Sequence, residues 1–336
     1  MKVSKAAENR RLERLCDAVR EPRLQIELPE RPLLASGRRL TDNELLAKLA
    51  TIGVRLDRER LCKFAGQFPS AESLALYFLK EDHADTTLPD AEDWTWISLT
   101  CLWERWCPEH PSFEQLDDCI QIGIKASEAF GPHAASAVWI HAWQGIEVLL
   151  DVFRFDSIQD LDDCFAGTTS ITAWLPMFLR ALGRAGQDGI EWTALRVIVC
   201  EQATRIHEES HRVDPELATS LHLALAESQF ELGNVEAAER SFVAASKITL
   251  DPVSCHEAWA RQYAAPSRQR SLGKAEVVAR RGVALAPVGR RAVLLGLLAN
   301  ICQLAGRPDE AHGFLQLLAF DQASMTTAAP QVSKAA

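Results

Sequence analysis

Apolar side chains along this chain recur every three or four residues. Val, Ile, Tyr and Phe never alternate with polar residues over a strand-length run, so the pattern predicts helices and no sheet. The clearest stretch is Ala226-Glu-Ser-Gln-Phe-Glu-Leu-Gly-Asn-Val-Glu-Ala-Ala-Glu-Arg-Ser-Phe-Val-Ala-Ala245. It reads as one helix, a tight turn at Gly233-Asn234 and a second helix, with Leu250-Asp-Pro252 closing the unit. The pattern recurs twice downstream. Trp259 and Tyr263 belong to a first helix, Ala275 and Ala279 to a second, and Pro287 follows. Then Leu295, Leu298 and Ala299 precede a turn at Gly306-Arg307-Pro308-Asp309 and a helix carrying Ala311, Leu315 and Leu318. Ala238, Ala275 and Ala311 stand 37 and 36 residues apart, at the places where two antiparallel helices must approach closely. One helix pair cannot bury its apolar stripe alone, so the copies are expected to stack from 214 to 320.

A second duplication lies upstream. Trp94 aligns with Trp139, and Ser112-Phe-Glu-Gln-Leu-Asp-Asp-Cys119 with Ser157-Ile-Gln-Asp-Leu-Asp-Asp-Cys164, both at an offset of 45 residues. Each serine follows a turn signal and is a natural N-cap, which predicts helical hairpins over 94–210. Before them, Thr41 with Glu44 spells a capping box, and Asp57 and Ser70 supply two further caps. These predict a small helical subdomain at 41–80, divided from the hairpins by the acidic segment 81–93, which is expected to be a linker. A DNA-reading helix-turn-helix at 41–80 fits poorly, because its third helix offers phosphates only Lys80.

The repeated unit around Gly233, Ala238, Phe242, Ala245 and Pro252 resembles a tetratricopeptide repeat. With the Leu-Asp-Asp-Cys elements, the whole looks like a group of uncharacterised bacterial repeat proteins, some of which carry a cysteine-rich metal-binding tail. That tail is absent here, where 321–336 is expected to be a flexible end. The resemblance implies an all-α solenoid of antiparallel helix pairs in a bacterial cytoplasm, and no activity. Members that clamp C-terminal carboxylates use Lys and Asn on inner helices. Here Asn300 alone falls at such a place, with Leu223 and Gly296 where a lysine is wanted.

Composition narrows the setting. The 336 residues are 47% apolar, enough for one long array or two domains. Nine scattered cysteines without a Cys-x-x-Cys, and no apolar leader behind Met1, predict a reducing cytoplasm. No apolar run reaches eighteen residues, so no membrane span is expected. The net charge of -10 hides a polarity, since residues 1–40 carry ten Lys and Arg against six acids.

Three features could carry chemistry. His207-Glu208-Glu209-Ser210-His211 satisfies the His-Glu-x-x-His spelling of zinc metalloproteases, in which two histidines four apart on a helix share a metal ion. Yet Asp214-Pro215 announces the next helix, which leaves the histidines in a last turn where they complement the helix dipole. The string is a weak candidate metal site, and no cofactor is expected. Trp94, Trp96, Trp103, Trp106, Trp139 and Trp143 crowd fifty residues, which predicts core packing first and an aromatic groove second. Finally, Arg261, Arg268, Arg270, Lys274, Arg280, Arg281, Arg290 and Arg291 face Glu276 alone within 261–291. This is a candidate docking stripe for an anionic partner.

The expectation is therefore a cytoplasmic scaffold or adaptor that holds a protein partner along its inner surface near Leu223, Glu227, Phe230 and Asn300. An accessory subunit of a nucleic-acid-processing or defence complex, using the basic stripe, stands second. A zinc hydrolase stands third.

Overall fold

The computed structural model describes residues 32–328, apart from 213, 268 and 288; the side chains of 32, 33 and 324–328 are also outside the description. The described residues form sixteen α-helices and no strand. They divide into two compact units, one holding the described residues up to 199 together with 205–212, the other 200–204 and the described residues after 213. Most of the basic segment 1–40 therefore lies outside the description.

In the first unit, α1 (Pro32–Arg38), α2 (Asp42–Ile52), α3 (Arg58–Ala65) and α4 (Ala71–Glu81) surround α5 (Ala91–Trp106). The expected caps form. Thr41 and Glu44 make a reciprocal capping box, while Asp57 and Ser70 accept from the backbone N–H groups of Arg60 and Ser73. Helix α5 is buried on nearly every side from Thr95 to Trp103, as a central helix must be. Its polar side chains turn inward on its own backbone, with Thr95 Oγ1 donating to the Ala91 carbonyl at 2.7 Å and Thr100 Oγ1 to that of Trp96 at 2.9 Å. Leu34 through Cys107 make one continuous core. The acidic segment 81–93 thus is not the linker its composition predicts. Asp82 is tied to Arg60 at 2.8 Å, Asp85 N–H donates to the Ile52 carbonyl, and α5 already begins at Ala91 inside the same core.

Next come α6 (Phe113–Phe130) and α7 (Pro132–Phe153), a hairpin, then α8 (Ile158–Cys164), α9 (Ile171–Ala185), which packs on α7, and α10 (Ile190–Glu209). The tryptophans are core and its rim. Trp103, Trp139 and Trp143 are buried, and Trp94, Trp96 and Trp106 are half-buried against the core, so these six rings leave no aromatic groove.

Besides residues 200–204 of α10, the second unit holds three hairpins: α11 (Pro215–Glu231) with α12 (Val235–Ile248), α13 (Pro252–Ala264) with α14 (Leu272–Leu285), and α15 (Ala292–Leu304) with α16 (Pro308–Ala328). Gly233 at φ 82° and Gly306 at φ 73° close two of the turns in the left-handed region. Ala238, Ala275 and Ala311 are fully buried at the crossings. The last helix runs to Ala328, well past 321, where the sequence suggests a flexible end.

Candidate functional site

Successive first helices α11, α13 and α15 pack on one another in a row. Each of α12 and α14 packs between its own first helix and the next one. The row therefore forms one face of the array. On it exposed and half-buried positions repeat with helical spacing: Glu216, Ser220, Leu223, Glu227 and Glu231 on α11, Ser254, Glu257 and Arg261 on α13, and Val293, Gly296, Asn300 and Leu304 on α15. Val293 is 48% and Leu304 50% exposed, and a side chain built on Gly296 would meet nothing within 4 Å. Of the predicted inner residues, Asn300 is exposed, while Leu223 and Glu227 are half-buried. Phe230 is a correction. It is 2% exposed and packs edge-on against Tyr263 at 5.0 Å between ring centres, so it seals the core beneath the row.

The basic stripe is dispersed by the fold. Arg261 alone lies on the first-helix row, where it pairs with Glu257 at 2.7 Å. Lys274 reaches Glu239 of α12 at 3.0 Å. Tyr263 also donates to Glu239, and that bond, followed by the Lys274 bond, holds the Glu239 carboxyl below its usual range against the opposing effect of burial. Arg280 pairs with Glu276 at 2.7 Å, Arg290 with Asp251 at 2.6 Å, and Arg291 forks onto Asp321 at 2.5 and 2.6 Å. Arg307, outside the counted stripe, bridges Glu276 and Glu310. Among the described residues, the remaining stripe cations Arg270 and Arg281 are exposed and form no ion pair, and Arg268 lies outside the description. Counting acids only within 261–291 missed Glu239, Asp251, Glu257, Glu310 and Asp321, which folding brings to the arginines. Glu257 is a local i,i+4 partner of Arg261, but no local pattern encodes the other four.

Two sites remain to be placed. Helix α10 ends at Glu209 and Ser210 is its C-cap, so His207 lies in the last turn and His211 beyond it. The paired helical histidines that the zinc spelling requires are therefore not formed, and Glu208 is exposed. Arg212 instead draws the segment toward Asp160 and Asp163 of α8. Among the described residues, one group brings three metal-type ligand atoms within 4.8 Å of one another, namely Glu276, Cys302 and Glu310. Arg280 and Arg307 already neutralise both carboxylates, so this is an ion-pair network between hairpins. Sequence reading also missed a cleft of about 370 Å³ in the first unit, lined by Glu147, Leu150, Asp151, Phe155, Asp156, Arg205, Ile206 and Glu209. Its lining comes from the end of α7, the turn that follows it and the end of α10, roughly fifty residues further along the chain.

No protein-family model matches the chain, and no curated protein matches it. Among solved structures, the crystal structure of BtubC (BKLC) from P. vanneervenii is similar at 12% identity, covering 84% of this chain and 97% of that one, with a TM-score of 0.40. A likeness of that size carries no argument about role. No helix among the described residues is long and apolar enough to cross a membrane.

Proposed function

We propose that this chain is a tetratricopeptide-like scaffold or adaptor of a bacterial cytoplasm, which holds a protein segment along its first-helix row. The observation that carries the reading is the stripe of exposed and half-buried positions, repeating with helical spacing on α11, α13 and α15, above a sealed core. Its third helix offers apolar anchors, Val293 and Leu304, on either side of the Asn300 amide. Apolar anchors beside an amide able to bond a peptide backbone suit a partner segment better than a small substrate. An accessory role on nucleic acid is the second reading, and Arg270 and Arg281 favour it as unpaired, exposed cations.

Affinity purification of the tagged full chain, with and without nuclease, tests the two together. The expected result is a partner retained after nuclease and lost when Val293→Glu and Leu304→Glu are combined. Retention of every partner by that double variant would overturn the row as the docking face. Loss on nuclease treatment alone would favour the nucleic-acid reading.

A further inference from the structure

Cys62 lies on α3 and is half-buried, whereas Cys107 is the fully buried C-cap residue of α5. Their Sγ atoms lie 2.7 Å apart. That is well inside the roughly 3.5–4.0 Å at which heavy atoms meet without bonding. It lies about 0.7 Å beyond the bond of about 2.04 Å that two sulfurs form on oxidation. Neither sulfur is a stray surface group. Cys62 Sγ also lies 3.6 Å from the Trp106 carbonyl, and the Cys107 N–H donates to the carbonyl of Trp103, a wholly buried core residue. Helix packing on both sides of the pair thus holds it at contact.

We propose that Cys62 and Cys107 are a redox-responsive dithiol, a modification site that closes to a disulfide and staples α3 to the end of α5. The oxidant class is a small-molecule disulfide. The half-exposed Cys62 gives up its proton and its thiolate attacks the oxidant, whose sulfur–sulfur bond breaks and releases one small thiol. Cys107 then gives up its proton and attacks Cys62 Sγ in the mixed disulfide, releasing the second small thiol. The protein loses two electrons and two protons, and the oxidant is reduced to two thiols. The order follows from access, because Cys62 is half-buried and Cys107 fully buried. Burial, and then the bond with Cys62, push the Cys107 thiol up to about 12. The staple spans 45 residues of chain, which includes all of α4 and α5. Closing a loop of that length narrows the unfolded ensemble, so the oxidised protein should melt at a higher temperature.

The test uses the full-length chain exposed to oxidised glutathione, acid-quenched, alkylated and digested with trypsin and then a glutamate-specific protease. Tryptic cleavage after Arg60, Lys63 and Arg105 isolates Leu61-Cys-Lys63 and a fragment starting at Trp106. Cleavage after Glu109 then separates Cys107 from Cys119. The expected result is one species joining the Cys62 and Cys107 peptides, two hydrogens lighter than their sum. It should disappear on treatment with dithiothreitol and be missing from Cys62→Ser, and the oxidised parent should show a thermal midpoint raised by several degrees. Recovery of the two peptides unlinked from the oxidised parent, alkylated or carrying glutathione, would overturn the proposal.

Discussion

Gly123 stands in the middle of α6 with an indole where its side chain would be. A Cβ there would lie 2.0 Å from Trp139 Nε1 and 2.3 Å from Trp139 Cδ1, both far inside contact. That nitrogen donates to the Ile120 carbonyl at 3.0 Å, so the ring cannot retreat without losing a buried hydrogen bond. An interior helical glycine costs about 1 kcal/mol relative to alanine, and here the glycine makes room for Trp139. Gly313 on α16 is the contrast, because a Cβ there meets nothing within 4 Å. The same substitution should therefore have opposite signs at the two positions. Gly123→Ala is expected to destabilise by about 1–3 kcal/mol through overpacking, and Gly313→Ala to stabilise by about 0.4–1 kcal/mol. Urea denaturation of both variants checks this, and equal midpoints would contradict the Trp139 packing.

Between elements, carboxylates from one helix repeatedly complete the start of another. Glu114 of α6 accepts from the backbone N–H groups of Ala71 and Glu72 at the start of α4, both at 3.0 Å. The duplicated Leu-Asp-Asp-Cys elements do parallel work. The first aspartate takes backbone N–H groups further along the chain, Asp117 that of Thr168 and Asp162 those of Ile171 and Thr172. The second holds an arginine, Asp118 with Arg38 and Asp163 with Arg212. Asp82, the C-cap of α4, accepts from Arg55 N–H at 2.9 Å and from both terminal nitrogens of Arg60 at 2.8 Å. The Arg60 bonds hold its carboxyl below the usual range, with burial opposing them. An unfolded aspartate titrates near about 3.9. A depressed folded value means this stabilisation is complete above that pH and is lost as pH falls through the lower folded value. The thermal midpoint of the parent should thus begin to drop near about pH 4, and Asp82→Asn should flatten that drop while costing about 1–3 kcal/mol at neutral pH. An unaltered acid limb in Asp82→Asn would show that the clasp does not control it.

How far these elements were legible depends on how local their causes are. The turns at Gly233 and Gly306 and the caps Thr41, Asp57, Ser70, Ser112 and Ser157 are written in neighbouring residues, and the structure has them. The two Leu-Asp-Asp-Cys copies show the limit. Their spelling matches, yet α6 runs eighteen residues and α8 only seven, where Phe165 turns to extended backbone and packs edge-on against Phe113 at 5.6 Å, and Ser170 caps the next helix. The candidate site was less legible still. Helical spacing alone identifies the exposed Asn300, but whether Phe230 faces a partner or the core depends on Tyr263 in the next hairpin.

For the whole molecule, charge must be judged after folding. A chain of net charge -10 has spare acids, and the fold places several beside the cations of 261–291. The pairs join successive hairpins of the second unit, as Lys274 reaches back to Glu239 and Arg307 to Glu276. In a stacked array, stability is built from such nearest-neighbour terms as well as from the core. Exposed pairs of this kind contribute little one at a time, but Asp321 is buried, its side chain only 2% exposed, and Arg291 supplies both of its guanidinium contacts. Reversing the stripe cations therefore cannot be one uniform experiment. Arg290→Glu with Arg291→Glu should lower the thermal midpoint of the array, because a buried carboxylate loses its partner and faces a new negative charge. Arg270→Glu with Arg281→Glu should leave stability within the roughly 0.5 kcal/mol usual for exposed substitutions. That second pair alone can report on docking of an anionic partner without disturbing the fold. Equal destabilisation by both double variants, followed by circular dichroism on heating, would show that the ion pairs of α13 to α16 do not carry the difference.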